Sequence, residues 1–185
     1  MQHEIYLDNS ATTPVAEEVV QAMEPYWSVQ FGNPSSPHLR GVAAQKIVSS
    51  CRAQLAAILR AQPSELYFTG SGTEANNLAL QGVANAPFFL RNPGHIITTP
   101  VEHPSVLNVV KHLEKLGWEV TYLPVDRYGK ISPEEFLRHL RPNTKIVSVM
   151  LVNNELGTIN PVRQVGEIIQ RENQGRQHKI IFHVD

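Results

Sequence analysis

The pattern that most constrains this fold is the alternation of short apolar runs with amphipathic stretches from Glu65 onward. The runs are of strand length, and the stretches between them have the periodicity of helices. The predicted strands are ELYFT, HIITT, WEVTYL, KIVSVMLV and KIIFHV, and helices are predicted from Thr73, Pro104, Pro133 and about Val162. Strands that alternate with helices are typical of βαβ units. The sequence therefore predicts an α/β fold, a mostly parallel sheet with helices on both faces.

The region before this alternation is less regular. It contains a short helix candidate, Ala16–Tyr26, and a longer one from about Val42 to Arg60. In the longer helix Cys51 belongs to an apolar stripe at helical spacing. The other members of that stripe are Ile47, Leu55 and Ile58. The stripe predicts that Cys51 packs in a core and is not a nucleophile.

Composition excludes several classes of function. The 185 residues carry a net charge of −1, so no basic excess favours nucleic acid. No apolar run approaches the roughly 20 residues that a membrane span needs, and the N-terminus MQHEIYLDNS lacks the apolar segment of a signal peptide. A single cysteine and scattered histidines show no metal-ligand spacing. Together these features predict a cytoplasmic protein.

Polar clusters follow the predicted strands at the places where each strand ends. They are GSGTE, VEHPS, NNELGT and the final Asp185. Ligands of parallel α/β sheets bind beyond the carboxyl ends of the strands. These four clusters are therefore the candidate site.

The first cluster suits an anion. Gly72 lets the backbone approach closely, and the helix start with the Thr73 hydroxyl offers donors to a phosphate. A glycine-rich turn capped by Thr73 explains the same residues, because short glycine patterns are weak signals.

The other clusters each allow a functional and a structural interpretation. His103 could stack on a flat ring or transfer a proton, or lie in a surface loop. Asn153 and Asn154 could form a turn, or one amide could donate to a ligand oxygen. Asp185, after an apolar strand, needs a cation or strong donors, either a protonated pyridine nitrogen or an arginine.

A phosphate site, a stacking histidine, an amide donor and an aspartate for a pyridinium nitrogen fit pyridoxal 5'-phosphate. The chain resembles the class I (IscS/NifS-type) cysteine desulfurases. The matching motifs, in the order found in that family, are IYLDNSATTP, FGNPSSPH, FTGSGTEANNLAL, VEHPSVLN, VSVMLVNNELGTINPV and FHVD.

The resemblance implies the large domain of a fold-type I transferase that depends on pyridoxal phosphate. It implies that Gly72 and Thr73 hold the cofactor phosphate, that His103 stacks on the ring and transfers protons, and that Asn154 and Asp185 bind the phenolic oxygen and the ring nitrogen. The implied reaction takes sulfur from L-cysteine, leaves alanine, and passes a persulfide to an acceptor protein for iron–sulfur cluster or thio-cofactor synthesis. The family works as a homodimer.

The resemblance also implies parts that this chain lacks. Residues 1–15 correspond to the N-terminal segment of the small domain at the active-site edge, and residues 16–185 to the N-terminal part of the large, cofactor-binding domain. The family's Schiff-base lysine, its persulfide cysteine and its C-terminal domain would follow Asp185. We therefore expect the chain alone to be inactive, as a fragment or as one part of a split enzyme whose second chain supplies the rest.

Three alternatives stay open at this point. One is another fold-type I enzyme, such as a selenocysteine lyase or an aminotransferase. Another is a non-catalytic subunit that binds a partner. A nucleotide-binding domain would depend on the glycine loop alone, without a full P-loop or dinucleotide pattern.

Overall fold

The computed structural model describes residues 5–87, 89 and 92–185. The chain divides into two compact units, Met1–Phe68 and Thr69–Asp185. Residues 1–4 of the predicted N-terminal segment lie outside the described residues. The predicted division after residue 15 stays a prediction.

The first unit contains two helices, α1 (Glu17–Ser28) and α2 (Leu39–Leu59), and a 3₁₀ turn at Pro63–Glu65. The start of α2 is determined by His38, whose side chain accepts the Gly41 N–H at 3.3 Å. A Cβ on Gly41 would lie 2.2 Å from the Ser36 carbonyl oxygen, so only glycine fits this close approach. Both helices predicted for this region are confirmed, with ends within a few residues of the prediction.

Two predictions for the first 69 residues are wrong. Cys51 is exposed, and so are Leu55 and Ile58 of its stripe, at 42% and 76%. The stripe is therefore a surface of α2 in this chain. The run ELYFT forms no strand, because no strand in the described part of the chain pairs with it. Tyr67 of this run is 78% exposed, whereas a strand needs neighbours for its backbone hydrogen bonds.

The second unit is a parallel four-stranded sheet with helices between its strands. The strand order is β2-β1-β3-β4, and all three pairings are parallel. The strands are β1 (His95–Thr98), β2 (Glu119–Tyr122), β3 (Thr144–Ser148) and β4 (Ile181–His183). The helices are α3 (Gly72–Ala84), α4 (Pro104–Lys115), α5 (Pro133–His139) and α6 (Val162–Glu172).

Each face of this sheet has its own core, because side chains alternate along a strand. On β1, Ile96 packs on one face with residues of α3 and α4, and the next residue, Ile97, packs on the other with residues of α5 and α6. On β3, Ile146 and Val147 divide between the faces in the same way. The structure thus confirms the predicted α/β fold with helices on both faces.

Serine side chains cap two helices of this unit, and the N-cap of α3 is Ser71 and not Thr73, which lies inside the helix. Ser71 caps α3, and Ser132 caps α5 by accepting two backbone N–H groups. Pro104 and Pro133 occupy first helical positions, where a missing N–H costs nothing. In the described residues, no helix combines the length and apolar character that crossing a bilayer requires.

Candidate functional site

A cleft of about 340 Å³ lies beyond the carboxyl ends of β1, β3 and β4. Every residue predicted for the site, Gly72, Thr73, His103, Asn154 and Asp185, lines this cleft. Its remaining lining residues are Ser71, Asn76, Ser105, Met150 and Val152. Because parallel strands end at one edge of a sheet, clusters as far apart in sequence as Gly72 and Asp185 meet here.

The start of α3 leaves two backbone donors available to the cleft. The Ser71 side chain accepts the Glu74 N–H at 3.2 Å, and Glu74 itself accepts the Gly70 N–H at 2.8 Å. The Gly72 and Thr73 N–H groups, in the first helical turn, have no partner among the described residues. A Cβ on Gly72 would meet no atom within 4 Å, so this backbone faces open space. This arrangement suits an anion.

His103 forms the N-cap of α4, which fixes its backbone beside the cleft. Its Nδ1 accepts the Ser105 N–H at 3.1 Å and lies 2.7 Å from the Ser105 Oγ. The ring is therefore held through Nδ1.

The two adjacent asparagines have different environments. Asn153 is buried: its amide donates to the Val101 carbonyl at 2.9 Å, and its Oδ1 accepts the N–H groups of Glu155 and Leu156. Asn154 is exposed and lines the cleft. The turn interpretation therefore holds for Asn153, and the ligand-donor role of Asn154 stays a prediction.

Asp185 continues the pairing between β3 and β4, because its carbonyl accepts the Leu151 N–H at 2.9 Å. The side chain is exposed, and it forms no ion pair with the described residues. The expectation of a costly buried carboxylate is wrong in this respect. A carboxylate without a cation in a cleft can still pair with a cationic ligand atom.

Glu102 lies behind the cleft and is only 4% exposed. Its Oε1 accepts the Thr99 hydroxyl at 2.8 Å and the Met150 N–H at 3.0 Å, while Oε2 has no partner in the described structure. Burial raises the pKa of Glu102 to about 7, and the negative charge of Asp185 contributes to the increase. The exposed carboxylate of Asp185, with the partly ionised Glu102 behind it, makes this part of the site favourable to positive charge.

The sequence pattern of the family described as Aminotransferase class-V matches residues 5–185. The chain belongs to the class-V aminotransferase family. Within this family it resembles "Cysteine desulfurase IscS" of Methanosarcina thermophila, with 47% identity over 182 residues, which are 98% of this chain and 43% of that protein. The relative of the same name from Dictyoglomus turgidum is 44% identical over 100% of this chain and 45% of its own length.

Solved structures of similar proteins agree with this class-V assignment. A NifS-like protein superposes with a TM-score of 0.92 at 38% identity, covering 99% of this chain and 48% of that chain. A protein described as SspA in complex with cysteine gives a TM-score of 0.89 at 39% identity, covering 97% of this chain and 50% of that one. The chain thus spans about half the length, or less, of these relatives.

The sequence did not single out three polar residues beside the cleft, which are Asn76, Ser105 and His183. Asn76 donates to Ser105 at 2.9 Å and contacts the Nε2 of His183 at 3.1 Å. All three stood inside recognised motifs, but nothing in their spacing indicated contact. Among the described residues, no group of three or more histidine, cysteine, aspartate or glutamate side chains is arranged to hold a metal ion.

Proposed function

We propose that this chain is the cofactor-binding part of a cysteine desulfurase that uses pyridoxal 5'-phosphate. The observation that carries the proposal is the cleft itself. The N–H groups of Gly72 and Thr73 and the carboxylate of Asp185 line the same cleft, and none of them has a partner within the described part of the chain. Such a cleft fits a ligand with an anionic group and a cationic ring nitrogen, and pyridoxal phosphate has both.

In this proposal, the residues of the cleft bind different groups of the cofactor. Gly72 and Thr73 hold the phosphate at the start of α3. The Asn154 amide donates to the phenolic oxygen, and Asp185 keeps the ring nitrogen protonated because the ion pair favours the charged form. His103 lies against the ring and moves protons through its free nitrogen. When bound, the cofactor supplies an electron sink for the reacting substrate.

The proposed substrate is L-cysteine, which loses its sulfur and leaves as alanine. Support comes from the relatives named cysteine desulfurase and from the similar protein whose structure is described as a complex with cysteine. In the proposal the complete protein carries the sulfur as a persulfide to an acceptor protein for iron–sulfur or thio-cofactor synthesis. We place this reaction in the cytoplasm.

A homodimer is part of the proposal, and the exposed apolar surface of the first unit supports it. Helix α1 has no buried residue, and α2 buries only Gly41 and Ala56. Large apolar side chains on these helices, Trp27 and Ile58 among them, are 66% and 76% exposed. Apolar surface of this extent marks an interaction site, and a second copy is the occupant we propose.

The binding proposal is tested by titrating the purified chain with pyridoxal phosphate in equilibrium dialysis. Asp185→Asn should weaken binding about tenfold or more, because a hydrogen bond to a charged group contributes about 1.5–3 kcal/mol. The matched control is Glu167→Gln, which removes the same charge from the exposed face of α6. Equal affinity of the Asp185 variant and the control would contradict the assignment.

Adding L-cysteine to the loaded chain tests for turnover. None of the six lysines of the chain lines the cleft. We therefore expect no alanine or sulfide above the rate of the free cofactor. Turnover above that rate would show that the chain needs no further lysine.

A further inference from the structure

A row of hydrogen-bonded side chains leads from His103 into the sheet. His103 Nδ1 lies 2.7 Å from Ser105 Oγ, and Ser105 Oγ lies 2.9 Å from Asn76 Nδ2. Asn76 Oδ1 lies 3.1 Å from His183 Nε2, and His183 Nδ1 lies 2.8 Å from Ser148 Oγ. We call these five side chains the His103 network. It joins α3, α4, β3 and β4.

The direction of the network is determined at the His103 end. A backbone N–H can only donate, and the Ser105 N–H points to His103 Nδ1 at 3.1 Å. Nδ1 is therefore the unprotonated nitrogen of the ring. The Ser105 hydroxyl, also in contact with Nδ1, must donate to it. The Ser105 oxygen then accepts from the Asn76 amide, as the orientation of that amide requires.

The remaining bonds follow from the Asn76 orientation. Because Asn76 Nδ2 donates to Ser105, its Oδ1 faces His183 Nε2, which must carry a proton. Burial lowers the pKa of His183, although the nearby Asp185 opposes this, and a lowered pKa favours the neutral ring. A neutral ring with a proton on Nε2 has a bare Nδ1. The Ser148 hydroxyl therefore donates to that nitrogen.

Burial makes this arrangement specific. Ser148 is 0% exposed, Asn76 6% and Ser105 8%, so water does not compete freely for their polar atoms. A buried donor or acceptor left without a partner is costly. Reversing the direction of one hydrogen bond would leave two donors, or two acceptors, facing each other. The five side chains therefore have one consistent set of protons.

We propose that Asn76, His183 and Ser148 are positioning residues that act through Ser105 to hold His103 as the neutral tautomer with its proton on Nε2. Nδ1 is then fully engaged by Ser105, and Nε2 is the only ring nitrogen able to exchange a proton with a ligand. The tautomer stands on the hydrogen bonds alone. Its use in moving protons during desulfuration rests on the proposed function.

The test is the tautomer of each histidine, measured in the 185-residue chain labelled with ¹⁵N-histidine. Long-range ¹H–¹⁵N correlation spectra distinguish protonated from bare ring nitrogens at about pH 8, above the ordinary histidine pKa of about 6.5. In the wild type we expect the proton on Nε2 in both His103 and His183. A proton on Nδ1 of His103 would overturn the proposal without any variant.

The variant Ser148→Ala cuts the network at the residue farthest from the cleft. We expect the Nε2–H to Nδ1–H ratio of His183 to fall about two- to tenfold, the range for one lost hydrogen bond, and that of His103 to fall in the same direction by less. Asn76→Ala cuts the network between His183 and Ser105. It should lower the Nε2–H to Nδ1–H ratio of His103 more than Ser148→Ala does. The matched control is Thr98→Val, because Thr98 is a fully buried hydroxyl on the neighbouring strand with no partner in the described structure.

The positioning role is contradicted if neither Ser148→Ala nor Asn76→Ala changes the tautomer ratio of His103 more than Thr98→Val does. The spectra need no cofactor, so failure to bind pyridoxal phosphate would reject the proposed function and leave the tautomer intact. A correct cofactor affinity combined with unchanged His103 spectra would reject only the positioning role.

Discussion

Glu102 Oε1 accepts the backbone N–H of Met150 at 3.0 Å, which ties the turn after β1 to the segment after β3. The bond places a buried carboxyl directly behind Met150, one of the residues that line the cleft. The same oxygen accepts the Thr99 hydroxyl, so Glu102 organises both of these segments.

The buried position of Glu102 predicts a pH dependence of stability. Its pKa is raised from 4.5 to about 7, so the folded chain binds this proton more tightly than the unfolded chain does. The resulting stabilisation is complete below about pH 4.5 and is lost as the pH rises to about 7, a change on the order of 3 kcal/mol. Glu102→Gln should remove the Glu102 contribution, so that its stability falls less with rising pH in urea unfolding than that of the wild type, and Glu167→Gln should retain the wild-type dependence. A Glu102 variant with the wild-type slope would contradict the assignment.

His95, at the opposite end of β1 from Glu102, predicts a contribution to stability that changes with pH in the opposite direction. Its ring bridges Thr144 and Thr121, with both contacts at 2.8 Å, and burial, helped by the positive charge of Arg141, lowers its pKa from 6.5 to about 4. The folded chain resists protonation, so stability is complete above about pH 6.5 and is lost towards pH 4, again on the order of 3 kcal/mol.

Between about pH 4.5 and 6.5 the Glu102 contribution opposes this acid limb, so the test compares the variant with the wild type. His95→Gln should remove the acid limb and leave a stability that falls with rising pH in urea unfolding. The exposed histidine His112 on α4 serves as the control, since His112→Gln should leave the limb unchanged. An NMR titration of His95 in the folded chain with an ordinary midpoint would show that its ring is not held neutral.

The adjacent asparagines predict separable effects. Asn153→Ala removes three hydrogen bonds to backbone groups and one to the Met150 sulfur, and it should lower the free energy of unfolding by about 1–3 kcal/mol. Asn154→Ala should change stability by less than about 0.5 kcal/mol, as exposed substitutions do, while weakening the binding of pyridoxal phosphate. Unfolding and equilibrium dialysis on the same two proteins measure both effects. The reverse assignment of stability and binding would contradict the proposed roles.

The elements of the second unit were largely predictable because their signals are local. Pro104 and Pro133 begin helices where the sequence indicates. Strands β1, β2 and β4 fall within predicted apolar runs, and β3 begins one residue before its run. The clustering of His103, Asn154 and Asp185 was also predictable, because parallel topology alone brings the carboxyl ends of strands together.

The two wrong predictions, the ELYFT strand and the buried stripe of Cys51, share a different cause. ELYFT has the composition of a strand, but a strand exists only where another strand pairs with it. The stripe of Cys51 has the periodicity of a core helix, but burial depends on what covers it, and Cys51, Leu55 and Ile58 are exposed in this chain.

The sequence by itself determined the order of helices and strands, the α/β class and the set of polar clusters, since these follow from periodicity, capping and topology. Only the tertiary structure decided that Asn153 supports the turn while Asn154 faces the cleft, that Glu102 is buried with a raised pKa, and that Asn76 and His183 connect His103 to Ser148. The physical reason is that hydrogen-bond direction and desolvation depend on neighbours up to 107 residues apart, which spacing along the chain does not reveal.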